Sequence, residues 1–336
     1  MNRSPLGATA CSVLLAIACT GSTDKPVGDF PEGLREAFEA KADIEEQTGL
    51  CDASAVAWLD AEHFVVAGDE DNWLRVYRRG VAEPRELVAL DDFLAVDPKH
   101  PEADIEAAAV MGDTIYWLTS HGRNKEAKPR PSRRRFFATR LAGGTLGPAG
   151  LPYDGLVAHL LADERYAVFD LEQAARRAPK SPGGLNFEGL APWADVALLI
   201  GARNPVPDGL ALLIPLENPE AVAIEGDDPV FGEPLRLDLD GRGVRSIERL
   251  GDTGYLIAAG SPAGRADRVY FWSGSADAAP GLVATLELNV EGIAYHAEGR
   301  RLILVSDDGA RLVQGAPCKS TPDVADRRFS TRSVKL

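Results

Sequence analysis

One short pattern returns five times along this chain, and it limits the fold more than any other feature. The copies read Asp52-Ala-Ser54-Ala-Val-Ala, Asp104-Ile-Glu106-Ala-Ala-Ala, Asn186-Phe-Glu188-Gly-Leu-Ala, Gly243-Val-Arg245-Ser-Ile-Glu and Asn289-Val-Glu291-Gly-Ile-Ala. After each comes a turn and a second apolar run: Phe64–Gly68, Ile115–Ser120, Val196–Gly201, Tyr255–Gly260 and Leu302–Ser306. Third runs follow at Trp73–Tyr77, Arg135–Leu141, Leu210–Leu216, Val269–Trp272 and Ala310–Val313, and fourth ones at Glu86–Leu90, Leu235–Leu239 and Leu282–Leu288. Short β-branched and aromatic runs between Gly, Asp, Asn and Pro turns are strand signals. A unit of up to four strands, repeated, cannot bury both faces alone. Radial repetition solves this, so the expected fold is an all-β single propeller of five four-stranded blades.

The motif starts are 52, 82, 57 and 46 residues apart. The long gap holds Leu156–Ala178, where Val157, Leu160, Leu161, Val168, Leu171 and Ala175 share one helical face. We read it as a helical insertion around 156–178, with a degenerate sixth blade as the alternative. Pro31–Gln47 reads as an N-terminal helix, and Lys319–Leu336 as a polar tail or a late closing strand. The expected division is therefore 1–18 export signal, 19–30 anchor and tether, 31–318 propeller, and 319–336 tail.

Arg3 precedes an apolar run from Ala8 to Ala18 that is too short to span a bilayer. Ala16-Ile17-Ala18 fits signal cleavage, and Cys19 after it resembles a lipobox cysteine, with Ala16 where Leu is usual. The expectation is an exported, lipid-anchored envelope protein, the alternative being a soluble periplasmic or secreted one. Once Cys11 is removed and Cys19 acylated, Cys51 and Cys318 remain; they bracket the repeats and are expected to form a disulfide. Acidic residues number 51 against 36 basic ones, a net charge of -15, which argues against nucleic acid as partner. Contact with a membrane is expected only through the lipid.

In each hairpin the start of the first strand and the end of the second lie at one end. Ser54, Glu106, Glu188, Arg245 and Glu291 hold equivalent positions and should converge on the mouth of the central channel. The strand ends add His121, Arg123 and Asn124, then Arg203 and Asn204, with Asp69-Glu70-Asp71-Asn72, Arg265 and Asp307-Asp308. Glu106, Glu188 and Glu291 cannot all be charged and close without compensation. Arginines pair with them, one holds a proton, or a hard divalent cation such as calcium sits among them. The plainer reading is structural, with Asp and Asn capping turns and His121 merely buried. A basic loop, Arg123 to Arg135, is either a solvated face or a hold for an anionic group over the axis. No P-loop, nucleophile elbow, EF-hand or zinc-like histidine spacing is present in the sequence.

Asp104-Ile-Glu106-Ala with Ser120-His121-Gly-Arg123-Asn124, and Asn186-Phe-Glu188-Gly-Leu-Ala with Gly201-Ala-Arg203-Asn204-Pro205, resemble the bacterial family termed domain of unknown function 3616. The basic Pro-containing stretch 128–135, Ala211-Leu-Leu-Ile-Pro-Leu216 and the motif at Asn289 fit the same pattern, so the resemblance covers about residues 50–315. The Asn-x-Glu-Gly strand is similar, more loosely, to phytase-like and esterase-like propellers. Arg245 and Ser54 depart from the motif. The resemblance implies the propeller and leaves the chemistry open. Two functions are expected from it and from the residues: a binding propeller whose funnel takes a small polar or anionic ligand or a protein, or a metal-assisted hydrolase of phosphate or carboxylate esters.

Overall fold

The structure, a computed structural model, describes residues 1, 27–28, 30–41, 43–260 and 267–336. The expected signal, Cys19 with most of its tether, and Arg265 lie outside the described residues.

Five four-stranded antiparallel sheets form a five-bladed propeller. Blade 1 comprises Ala53–Trp58, His63–Gly68, Trp73–Arg78 and Glu86–Ala89; blade 2 comprises Ile105–Met111, Thr114–Thr119, Phe136–Ala142 and Thr145–Tyr153. Blade 3 runs Asn186–Trp193, Ala197–Asn204, Ala211–Leu216 and Leu235–Leu237, and blade 4 runs Gly243–Arg249, Tyr255–Gly260, Asp267–Trp272 and Gly281–Leu286. Blade 5 takes Val290–His296, Arg301–Ser306 and Arg328–Lys335, then borrows its outer strand, Asp43–Thr48, from the N-terminal side. The first strands of neighbouring blades touch around the whole ring and so line the axis.

The inner strands are apolar on both faces because each blade packs between two others. Ala53–Trp58 and Ala211–Leu216 are buried throughout. Among the described residues, the buried apolar side chains fall into five clusters, one at each junction between blades. Phe137 and Phe187, both fully buried, sit in two of them, and each such side chain contributes about 1.5–3 kcal/mol.

The insertion in the long gap is helical but broken, into Leu156–Ala162, a 3-10 turn at Glu164–Phe169, and Leu171–Ala174. Leu156, Leu160, Tyr166 and Leu171 pack into the junction of blades 2 and 3, so it plugs an interface and adds no blade.

Two terminal expectations need correction. The helix within 31–47 is only Leu34–Glu39, seated by Leu34 and Phe38 at the junction of blades 4 and 5. Residues 43–48 are a strand, registered from Asp43↔Ser333 to Thr48↔Arg328. The stretch 319–336 takes the alternative form expected, a late closing strand rather than a polar tail: Arg328–Lys335 is the third strand of blade 5, and Phe329 and Val334 are buried. The third run expected at 310–313 supplies only a two-residue hairpin arm, Leu312–Val313 against Ala316–Pro317. The reason is ring closure: pairing strands from both ends of the chain leaves no open seam. Cys51 and Cys318 form the expected disulfide, with Cα atoms 5.8 Å apart, and lock the same seam.

Candidate functional site

Each first strand carries a β-bulge at the motif position. Pairing passes from Ala53↔Gly68 to Ala55↔Ala67, skipping Ser54, and from Ile105↔Thr119 to Ala107↔Leu118, skipping Glu106. The same skip occurs at Glu188, Arg245 and Glu291. A bulge frees one residue from the ladder and re-aims its side chain. Five bulges in register therefore deliver five side chains to one mouth of the channel, all of them buried.

Half of this ring is neutralised. Arg203 Nη1 donates to Glu188 Oε1 at 2.5 Å, and Asn186 Nδ2 donates to the same oxygen at 2.6 Å. Arg245 Nη1 pairs with Glu291 of the next blade, and its Nε lies 3.6 Å from Asp267 Oδ1. Two glycines make room beside these arginines. A Cβ on Gly243 would lie 1.8 Å from the backbone oxygen of Arg203, and one on Gly260 2.3 Å from Arg245 Nε in its side chain. Blade 4 accordingly has Gly where other repeats have Asp or Asn.

The other half carries excess negative charge. Asp69, Asp104 and Glu106 each offer a carboxylate oxygen, all within 4.8 Å of one another. Arg133 Nη1 pairs with Asp104 at 3.0 Å. Glu106 makes no side-chain hydrogen bond among the described residues, and Asp69 Oδ1 is buried without a partner. Glu188 Oε2, the oxygen turned away from Arg203, is also buried and unpartnered. Burial pushes Glu106 well above the usual carboxylate range, and the charges of Glu188, Asp104 and Asp69 push it further. Asp69 is raised by burial, then by Asp104 and Asp52. Asp104 rises to about 6 through burial, against the pull of Arg133. Beside them, burial and the charge of Asp307 take Asp52 to about 7. Asp104 also holds a left-handed backbone, φ 61°, a conformation that costs energy in a non-glycine residue and collects at functional sites.

Other predicted residues serve the scaffold. His121 is buried, its Nδ1 2.8 Å from Thr119 O and its ring against Phe187. The charges that bear on it are Arg134 and Arg135, and burial lowers it to about 4. Arg123 binds Ala175 O at 2.8 Å and Ala127 O at 3.0 Å, tying the loop to the insertion. Asn124 closes its own loop by accepting from Lys128 N at 2.8 Å, and Asn204 donates to Pro179 O and Ser181 O. In the basic loop, Arg135 is spent on backbone carbonyls, including Leu94 O at 2.8 Å, while Arg133 turns to Asp104. Ser54 donates to Ile105 O and joins two blades.

Hairpin geometry alone brings Asp69 and Asp104 to this mouth without marking them as ligands. The signal was there, because both flank the hairpin end that holds Glu106. The metal set expected from the sequence was Glu106, Glu188 and Glu291. In the structure Glu188 and Glu291 are paired with arginines, and the clustered set is Asp69, Asp104 and Glu106.

No family model and no curated protein matches this sequence. Among solved structures, the chain is similar to glutaminyl cyclase from Myxococcus xanthus, with TM-score 0.46 and 15% identity, covering 88% of this chain and 97% of that one. It is also similar to the PQQ-bound aldose sugar dehydrogenase of Streptomyces coelicolor, with TM-score 0.44 and 16% identity over 88% and 99%. A luciferin-regenerating enzyme matches with TM-score 0.39 and 10% identity over 84% and 78%. Likenesses this distant carry no argument about ligand or chemistry; the fold rests on the five blades themselves.

Proposed function

We propose that the funnel holds a hard divalent cation on Asp69, Asp104 and Glu106, and that the cation presents open positions to a small oxygen-rich ligand. One observation carries this reading: Asp69, Asp104 and Glu106 crowd three carboxylates against the single guanidinium of Arg133, which Glu102 shares, while Glu188 and Glu291 on the other half each meet an arginine. Buried carboxylates without compensation either hold protons or hold a cation. Oxygen-only donors suit calcium, which takes six to eight oxygens, so three carboxylates would leave several positions for water or ligand. Arg203 and Arg245 are committed to glutamates, so an anionic ligand would be drawn by the cation rather than by a guanidinium.

We further propose that the protein is exported and anchored through Cys19, in keeping with the motif likeness to the family named above. The disulfide supports an oxidising compartment. No helix among the described residues is long and apolar enough to cross a membrane.

Thermal unfolding of the full-length protein tests the funnel, since a ligand specific to the folded state raises the midpoint. Calcium chloride should raise it, and phosphate or a carboxylate sugar should raise it further only with calcium present. No shift with calcium, magnesium or manganese would overturn the reading. Release of nitrophenol from p-nitrophenyl phosphate or acetate in the same samples would move the reading from binding to hydrolysis.

A further inference from the structure

The channel has a second mouth. The far ends of all five first strands surround a cavity of about 630 Å³, opposite the carboxylate funnel and separate from it in every lining residue. Its wall includes the small residues Ala57, Ala108, Ala109 and Ala294, and the edge of Trp58, a buried ring packed against Phe64 and His296 and fixed by an Nε1 donation to Ala294 O at 3.2 Å. Glu248 of blade 4 stands in this wall. Its Oε1 accepts one hydrogen bond, from Tyr295 N at 2.9 Å, and the carboxyl has no ion-pair partner among the described residues.

The charged groups around Glu248 do not supply a cation. Arg249, its neighbour, is held by Gly251 O at 2.8 Å, Ala194 O at 3.2 Å and Asp252 at 3.4 Å. The remaining acids of the rim are Asp195 and Asp60, and Asp60 is itself engaged by His63 at 3.0 Å. His296 Nδ1 accepts from Gly299 N at 3.1 Å. The cavity thus joins alanine patches to charged and polar residues, with one inset carboxyl that lacks an ion-pair partner among the described residues.

We propose that this second mouth binds an organic ammonium ion, with the charged nitrogen at Glu248 and the apolar body against Trp58 and the alanines. Burial pushes the Glu248 carboxyl up to about 8, partly opposed by the Tyr295 N–H. Near neutrality it therefore carries a proton, which an entering cation displaces. A neutral molecule of the same shape does not gain the charge pair with Glu248.

Titration calorimetry of the full-length protein with benzylammonium chloride, at pH 7.5 and in two buffers of different ionisation enthalpy, is the test. Saturable 1:1 binding with net proton release is expected. Benzyl alcohol, the neutral counterpart, should bind at least about 10-fold more weakly to the same wild-type protein. Glu248→Gln should lose about 10-fold in benzylammonium affinity and all of the proton release. The benzyl alcohol comparison needs no variant, so a poorly folded Glu248→Gln protein would not shelter the proposal. Equal binding of alcohol and ammonium, unchanged binding by folded Glu248→Gln, or no saturation at millimolar benzylammonium would each overturn it. None of these outcomes bears on the cation proposed for the funnel.

Discussion

Arg245 of blade 4 and Glu291 of blade 5 occupy the same bulged position in successive repeats, and they form an ion pair with each other. A fivefold pattern with one charge sign at every copy would repel itself at the axis. Placing arginine at one copy, and Arg203 beside another, balances Glu291 and Glu188 and leaves the charge deficit at Asp69, Asp104 and Glu106.

Arg245→Met should therefore destabilise the fold by about 3–5 kcal/mol, because it strands a buried carboxylate. Burial already raises Glu291 against the pull of Arg245, so the cost should grow as pH rises and shrink in acid. Adding Glu291→Gln should recover most of the loss in urea unfolding. Purely additive losses would show that the two residues do not act as a pair.

Closure of the ring predicts the effect of the disulfide. Cys51 and Cys318 are 267 residues apart in sequence, and loop-closure entropy for such a span has an upper value of about 5 kcal/mol. Cys51→Ser with Cys318→Ser should lower the urea midpoint, with blade 5 and its borrowed strand losing hydrogen-exchange protection first. Thiol titration of unfolded, unreduced protein should find neither cysteine free.

The metal-free protein should be less stable at pH 7 than at pH 5. Asp104, raised to about 6, and Asp52, raised to about 7, bind protons more tightly folded than unfolded, where carboxylates titrate near 4. Their contribution is full below about pH 4 and is lost as pH rises through 6 to 7. His121, lowered to about 4, has the opposite effect, removing stability as pH falls from about 6.5. Urea midpoints from pH 4 to 8 should pass through a maximum in the acidic range, and calcium should add more at pH 8 than at pH 5. A metal-free midpoint still climbing at pH 8 would contradict this balance.

Glu106→Gln separates site from scaffold. Removing one uncompensated charge should raise the metal-free midpoint, the pattern expected where function is maintained at a cost in stability. A destabilised Glu106→Gln protein would mean that Glu106 serves the fold.

Much of this was legible in the sequence, for definite reasons. The repeats gave the blade count, because each inner strand must be apolar on both faces, and the bracketing cysteines gave the disulfide. Residues 43–48 hold one aliphatic residue, Ile44, and 328–335 hold two apolar ones, Phe329 and Val334, so neither shows a strand's alternation, and they pair with each other and with Arg301–Ser306. No local pattern announces a partner almost 300 residues away. Motif spacing brought Glu106, Glu188, Arg245 and Glu291 to one mouth, but it could not tell how charges would pair. Arg123 and Arg203 look alike in sequence, yet Arg203 meets a glutamate, whereas Arg123 meets one carbonyl of the helical insertion, Ala175 O, and one of its own loop, Ala127 O.

The most direct test of the central claim is calcium titration calorimetry on the chelator-stripped full-length protein, beside Asp69→Asn and Glu106→Gln. The account predicts one calcium per wild-type chain and an affinity at least about 10-fold lower in each variant. Equal affinity in all three proteins, or no calcium bound to the folded wild type, would contradict it.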